Sequence, residues 1–593
     1  MASSPPPLLG PSRDADYLTV VSHMQRAATP PDIDPVRLEV MWNRLISVVN
    51  EQATALMRTS FTTIVREAGD LSAGVFDVDG NMIAQAVTGT PGHINAMATC
   101  IHHFLRVFPA DTLLPGDVLI TNDPQKTSGH LHDFTVITPI FKDGRLVAFF
   151  GNTCHVLDIG GIGLSTDARS VFEEGLFVPI TKLFDAGTPN RELLSILAAN
   201  VRAPEPVLGD IHAQAAGNDV GGARLVEFMD EFGLESLDDL SAEIIARSER
   251  AMRDAIAAIP DGDYENAVWA DGYEEPVRLQ VAIAKRGETL RVDWAGSSAE
   301  SHRGINVVLN YTHAYTTYAL KCALAPEVPN NEGSFRPVTV TAPPGCILNA
   351  RPPAPVAARH ILGHYLPGVI FGALAEILPN RIMAEGAANI WNLQFTGHDL
   401  DDRPFTYVWF SCGGTGARPT KDGLSATAFP SGISGVPAEV IEQLTPLVMY
   451  RRELRRDSGG PGQFRGGLGQ TIEVGVRTKR PFRFSPLFDR LHHAAAGYGG
   501  GLPGANAEIT FSTGERITAK GSRQLAPDTR ITLQLPGGGG FFDPRTRDPE
   551  MVLADVRNGL VSAARARIVY GVPVDAGSDS EPGVATEIAA ASP

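Results

Sequence analysis

Residues 122–161, NDPQKTSGHLHDFTVITPIFKDGRLVAFFGNTCHVLDIGG, constrain this chain more than any other stretch. Two apolar runs rich in β-branched and aromatic residues, FTVITPIF (134–141) and RLVAFFGN (145–152), are separated only by Lys142, Asp143 and Gly144. Runs of that length and composition read as strands, and a glycine free to take positive φ is the natural link, so the stretch is a β-hairpin. With a three-residue loop at 143–145, residue 142 faces 146 and Asp133 lies opposite His155. With a two-residue turn, His132 and His155 face each other instead. Either way, the residues before the first strand and after the second meet at one open end.

That end gathers His130, His132, Asp133, His155 and Asp158, with Gly129, Gly160 and Gly161 beside them where backbones approach closely. A single histidine near a loop is usually solvated or satisfied in the core. Several converging with aspartates suit Zn²⁺, Mn²⁺ or Fe²⁺, which take mixed nitrogen and oxygen ligands. Three protein ligands would leave positions open for water or substrate, and aspartates outside the ligand set would orient those within it. The H-x-H of GHLHD also occurs in cupin-type barrels, and a His/Asp/His set in non-haem iron oxygenases. The oxygenase spacing places one residue between first His and acid, whereas two separate His130 from Asp133, and the long helices nearby fit poorly with a single barrel. Cys154 beside His155 is not a thiol–imidazole pair, because neighbours on a strand point to opposite faces; it reads as a small core residue.

Around this hairpin the pattern predicts an α+β, multidomain protein. Residues 1–33 form a Pro- and Ser-rich disordered leader and 574–593 a disordered tail. Residues 34–260 form a metal-binding α+β domain with a helical segment. Its first helix opens at Asp34-Pro35 and carries a buried stripe at Leu38, Met41, Leu45, Val48, Val49, Ala53 and Leu56. LSAGVFDVDGNMIAQAV reads as a hairpin turning at Asp79-Gly80, GHINAMATCIHHFLRVF as a helix, and 171–205 as irregular with short helices. Two strong helical segments follow, the first stopping at Gly233. Residues 261–400 read as a mixed α/β middle domain, with strands turning near Arg286-Gly287 and helical patterns at 305–325 and 364–389. Residues 401–573 read as a β-rich, glycine-rich domain closed by one final helix, DPEMVLADVRNGLVSAARARIVYG.

Among 593 residues the formal net charge is −17, which argues against nucleic-acid partners because phosphate backbones need a basic surface. Five scattered cysteines without a CxxC pair suit a reducing compartment. The first residues lack the basic and apolar regions of a signal peptide, and no run approaches 18 apolar residues. A cytoplasmic protein with no membrane contact is expected.

TNDPQKTSGHLHDFTVITPIF followed by GNTCHVLDIGG resembles the hydantoinase B/oxoprolinase family, whose pattern reads roughly NDP-Y-x-x-GTHLPD and then NRAHHADIGG. AGDLSAGVFDVDGNMIAQ, GTPGHINAM, NVRAPEPVLGDIHAQ, GARPTKDG, ELRRDSGGPGQFRGGLG and LPGGGGFFDP follow in the family's order, so the resemblance spans nearly the whole folded chain. It implies a metal-containing subunit working with a larger hydantoinase A-like partner that uses ATP and Mg²⁺. Relatives of this kind include ATP-dependent N-methylhydantoinases, 5-oxoprolinases and lactamases, and subunits of acetone and acetophenone carboxylases. The metal ligands carry over onto His130, Asp133 and His155. Asp70 takes the place of the family's RDFS aspartate and is a further ligand candidate, with His93 behind it. Departures occur where Gln125 and His132 replace the family's Tyr and Pro, and where Val156 replaces a second His.

No GxxxxGK[ST] occurs, and SGGPGQFRGGLG precedes a strand rather than a helix, so its glycines read as turn formers rather than a phosphate cradle. Arg455 or Arg465 would be free to reach an anionic intermediate across an interface. The resemblance therefore implies that the partner phosphorylates a small cyclic amide, a hydantoin or lactam, and that this chain completes ring opening, with Asp123 or Asp158 as general base or orienting carboxylate. The alternatives are a carboxylase subunit using the same pocket, a non-catalytic scaffold and a non-haem iron oxygenase.

Overall fold

The computed structural model describes residues 33–87, 90–388 and 390–574, so the leader and tail lie almost wholly outside the described residues. Helix α1 (Pro35–Thr59) begins where Asp34 accepts the Arg37 N–H at 2.9 Å, and all seven residues of the expected stripe are buried. Strands β1 (Leu71–Phe76) and β2 (Met82–Gln85) pair around a turn in which Asp77 Oδ1 accepts the amides of Asp79 and Asn81. Helix α2 (Pro91–Val107) follows, then β3 (Val118–Thr121), β4 (Asp133–Lys142) and β5 (Arg145–His155).

These strands belong to one seven-stranded sheet, ordered β2-β1-β5-β4-β3 and extended by β6 (Thr181–Asp185) and β7 (Thr188–Pro189). The last two strands lie in the region expected to be irregular with short helices, where the helices Val171–Glu174 and Arg191–Asn200 do form; strands this short carry too few residues for alternation to show. One face of the sheet buries Ala73, Val75 and Phe150 against α1 and α3 (Pro204–Phe232). The other buries Phe76, Ile137 and Phe149 against α2. Coverage on both sides explains why β4 and β5 are apolar without alternation although the sheet is antiparallel.

The β4–β5 hairpin turns on two residues, Asp143 and Gly144, with φ of 50° and 79°. That conformation suits a type I′ link, and glycine takes the second position without steric cost. Lys142 pairs with Arg145 and Phe141 with Leu146, but Ile140 pairs with Ala148, leaving Val147 as a bulge. The bulge restores one residue of register, so Asp133 pairs with His155.

Helix α3 ends at Gly233 in the left-handed region, and α4 (Asp238–Ala257) leads into the second sheet. Its strands β8 (Gly262–Ala270), β9 (Val277–Arg286), β10 (Thr289–Asp293) and β11 (Val338–Thr341) pack against α5 (Leu309–Leu324) and α6 (Leu366–Leu374). The helix expected at 364–389 stops with α6, and residues 382–388, after Pro379, are in neither helix nor strand. Strands β12 (Trp391–His398) and β13 (Pro404–Ser411) form a hairpin across residue 400.

Two further four-stranded sheets complete the fold. The first joins β13 and β12 to β16 (Phe482–Leu487) and β18 (Arg523–Leu525). The second orders β14 (Leu447–Leu454), β15 (Gln470–Val476), β19 (Ile531–Gln534) and β17 (Glu508–Phe511). Between them the glycine-rich segments do something other than turn. Gly460, Gly466, Gly467 and Gly537 to Gly540 avoid the left-handed region and lie in segments outside the strands that are bonded to several neighbours at once. Gly538 N–H donates to Gly467 O at 3.0 Å while its carbonyl accepts Gly460 N–H at 2.8 Å. A methyl on Gly538 would stand 1.9 Å from the Thr415 carbonyl oxygen, so the requirement here is for the missing Cβ rather than for positive φ.

The final helix is broken. Helix α7 (Pro549–Arg557) ends at Asn558, Gly559 takes φ +71°, and short helical turns at Ala563–Arg565 and Ala566–Tyr570 follow. No described helix is long and apolar enough to cross a membrane.

Candidate metal centre

Residues 122–132 return the chain to the open end of the hairpin because Asn122 pins them. Its Nδ2 donates to Leu131 O at 2.8 Å, and its Oδ1 accepts Val178 N–H at 2.7 Å. His130, Asp133 and His155 thereby converge, each buried, with one ligand atom apiece lying within 4.8 Å of the others.

Asp133 is the hub. Its Oδ1 lies 2.7 Å from His130 Nε2 and 3.1 Å from His155 Nδ1. Its Oδ2 accepts from Ser128 Oγ at 2.5 Å, lies 3.0 Å from His93 Nε2 and pairs with the Arg359 guanidinium. Burial opposes ionisation of Asp133, but His130, His93 and Arg359 together hold its carboxyl well below the usual range. Burial, then Arg359, pulls His130 down to about 4, so its ring is neutral at neutral pH.

His130 Nδ1 lies 2.8 Å from Ala357 O. A ring nitrogen facing a carbonyl must carry the proton, so Nε2 of this neutral ring presents a lone pair. That lone pair faces a carboxylate oxygen at 2.7 Å, an acceptor against an acceptor. His155 Nε2 and both ring nitrogens of His132 are buried without a hydrogen-bond partner. A cation among these donors resolves the conflict, and the backbone carbonyl behind His130 is the outer support that histidine ligands commonly use. The donor set fits a divalent ion of the Zn²⁺, Mn²⁺ or Fe²⁺ kind.

The cluster opens on a cavity of about 30 Å³, whose walls include Asp70, His93, His130 and His155. Asp70 lies outside the three-donor group; its Oδ1 accepts Thr90 Oγ1–H at 2.9 Å and stands 3.8 Å from His93 Nδ1. Burial works against a proton on His93, but Asp133 and Asp70 on either side leave its pKa raised. His132 is stacked on His155, with centroids 5.3 Å apart, and is not part of the cavity wall. Asp123 and Asp158 are not on that wall either. Asp123 pairs with Lys126 at 2.9 Å and caps Gln125 N–H. Asp158 is engaged by Arg202 at 2.6 Å and by Gly160 N–H. Both are engaged in shaping loops. Cys154 is fully buried, and burial pushes its thiol well above the ordinary range. Arg455 is spent on the carbonyls of Asn506 and Leu535, and Arg465 on Asp555.

The opposite wall comes from distant sequence. Arg359 rests on the Tyr311 ring at 4.2 Å and donates to Ser128 O. His360 and His364 project from one helical turn with centroids 5.6 Å apart, and burial, then Arg359, lowers His364 to about 3. Their i, i+4 spacing in ARHILGH was the one signal for this wall available in the sequence.

Residues 34–544 match the model of the family described as Hydantoinase B/oxoprolinase. Over 576 residues the chain is 31% identical to the B component of a putative D-/L-hydantoinase from Pseudomonas sp. (strain NS671), covering 93% of this chain and 96% of that one. The ATP-dependent caprolactamase from Pseudomonas jessenii superposes with a TM-score of 0.83 at 27% identity, over 92% of this chain and 97% of that chain. Nucleotide-free acetone carboxylase superposes with a TM-score of 0.81 at 21% identity, over 92% of this chain and 80% of that chain, a likeness of fold alone.

Proposed function

Because the chain belongs to the hydantoinase B/oxoprolinase family, we propose that it is the metal-dependent subunit of an ATP-dependent enzyme that opens a cyclic amide, a hydantoin or lactam. Its partner is a hydantoinase A-like subunit that uses ATP and Mg²⁺ to phosphorylate the amide oxygen. The observation that carries this reading is Asp133 Oδ1 set between the ring nitrogens of two buried histidines at the edge of a cavity.

His130, Asp133 and His155 would hold the ion, with Asp70 across the cavity as a further carboxylate. The ion's chemistry is to lower the pKa of water and supply hydroxide near neutral pH. Ala357 O and Arg359 keep His130 and Asp133 in the protonation states that such binding needs. Water adds to the activated carbon and the ring C–N bond breaks as nitrogen takes a proton. The resulting acyl phosphate is hydrolysed by a second water to carboxylate and phosphate. His93, between Asp133 and Asp70, is placed to exchange that proton. Asp70, which faces the cavity, takes the base position in preference to Asp123 or Asp158.

The test replaces His130 and His155 together by Ala. Bound metal and ring opening should both vanish while the partner still turns over ATP. Ring opening that survives in the double variant, or that requires bicarbonate, overturns this reading; the second result selects the carboxylase alternative.

A further inference from the structure

The cavity at the cluster has room for about one or two waters, which is too small for the ring it is proposed to open. A chamber of about 420 Å³ lies against it, within the size range of small-molecule sites. Three elements form walls of both. On α2, Thr90 at the cap and His93 face the cluster while Pro91 and Asn95 face the chamber. On α5, Tyr311 faces the cluster and Tyr318 the chamber. In the segment 430–433, Ser431 faces the cluster while Pro430 and Gly432 face the chamber.

The partition is hydrogen-bonded and uncharged. Tyr315 OH lies 3.0 Å from Ser431 Oγ, which lies 3.2 Å from His364 Nε2. Ile390 N–H donates to His364 Nδ1 at 3.3 Å, so Nε2 carries the proton and donates to Ser431.

The chamber's polar corner is specific. Asn330 Nδ2 donates to Gln85 Oε1 at 2.8 Å and to Asn95 Oδ1 at 2.9 Å, so three amide side chains of the chamber's wall are linked into one neutral cluster. The chamber's Lys321 is turned onto the carbonyls of Ala325 and Val328. The rest of the lining is largely apolar, including Ile94, Tyr318 and Val328. These features suit a small neutral ring.

We infer that this chamber is the receiving site for the cyclic amide, with the linked amides of Gln85, Asn330 and Asn95 at its polar corner and the Tyr315–Ser431 pair closing the way to the metal cluster. The inference rests on the ring-opening reading and deepens it. Val87, Pro326 and Pro329 on the chamber's wall are exposed, so a ring held there stays within reach of an ATP-using partner.

Two measurements on the full-length chain test this, metal-loaded except for the double variant that lacks the metal ligands, with ε-caprolactam and hydantoin as probes. Calorimetry compares wild type, Cys322→Trp, which fills the chamber, and the His130→Ala/His155→Ala double variant. Wild type should bind at least one probe, the chamber variant at least about tenfold more weakly, and the double variant as wild type does. In the unaltered protein, a ring at ten times its Kd should slow methylthiolation of Cys322 about tenfold and leave Cys412 unaffected, read by mass spectrometry. The chamber is refuted if neither probe binds wild type, or if binding is lost in the double variant but kept in Cys322→Trp. Protection of Cys322 without any ring opening would instead leave the chamber standing and remove the proposed reaction.

Discussion

Asp133 and His155 are directly opposed across β4 and β5, with His155 Nδ1 3.1 Å from Asp133 Oδ1, although the turn that joins the strands would by itself place Asp133 opposite Cys154. The bulge at Val147 makes up the difference. Because side chains alternate between faces, a one-residue slip sends His155 or Asp133 to the wrong side of the sheet. Deleting Val147 should therefore abolish stoichiometric metal binding while the far-UV circular dichroism of the chain is largely kept. Elemental analysis of the purified variant decides; a full complement of metal would show that the bulge does not set the site.

Arg359 and Asp133 form a buried ion pair whose guanidinium also covers Tyr311. Removing one partner of such a pair leaves a charge uncompensated, so Arg359→Met should cost the metal-free protein about 3 kcal/mol. A divalent cation on Asp133 would supply the missing positive charge, so the deficit should shrink on metal loading. Urea unfolding with and without metal reads both values. Equal deficits in the two states would show that the ion does not reach Asp133.

How much of this was legible in advance depends on chain distance. His130, Asp133 and His155 sit on adjacent segments of one hairpin, so strand composition and the glycine link already brought them to one end. Arg359, Tyr311, His364 and Ser431 reach the same cavity from other units, and no periodicity in their own segments says which surface they meet. The register was open in the sequence because a bulge has no composition signature. The final helix looked continuous because only Gly559 interrupts it, and a single glycine is often tolerated within a helix. The glycine-rich segments looked like turns because glycine serves both positive φ and close approach, and only the packing around residues 537–540 separates the two.

Glu174 Oε1 accepts the N–H groups of Val356, at 2.6 Å, and Ala357, at 2.7 Å, and so holds the backbone whose carbonyl orients His130. Burial nonetheless pushes its carboxyl up to about 8. With the folded value above the unfolded one, neither state is ionised well below the ordinary value of 4.5 and there is no penalty. As pH rises from there towards 8, the unfolded chain loses the proton first and stability falls; above that window the loss is constant. Glu174→Gln should remove this part of the slope while keeping the acceptor for both N–H groups. Melting temperatures of the two proteins should diverge between about pH 5 and pH 8, with the variant the more stable at the upper end. Parallel profiles would mean that Glu174 ionises as freely in the fold as outside it.

Two glycine substitutions should move stability in opposite directions. At Gly538 a methyl meets the Thr415 carbonyl oxygen at 1.9 Å, and the neighbouring atom is backbone held by its own hydrogen bonds, so nothing local can give way. Gly538→Ala should cost at least about 3 kcal/mol by forcing the glycine-rich segments apart. Gly368 lies in α6, where the nearest foreign atom to a built methyl is Glu385 Cγ at 3.9 Å, an ordinary contact. Alanine there reduces the freedom of the unfolded chain and favours the helix, so Gly368→Ala should be neutral or stabilising by up to about 1 kcal/mol. Thermal unfolding of the two variants beside the wild type checks both signs. If Gly538→Ala melts with the wild type, the close packing of bare backbone is not what holds the C-terminal sheets together.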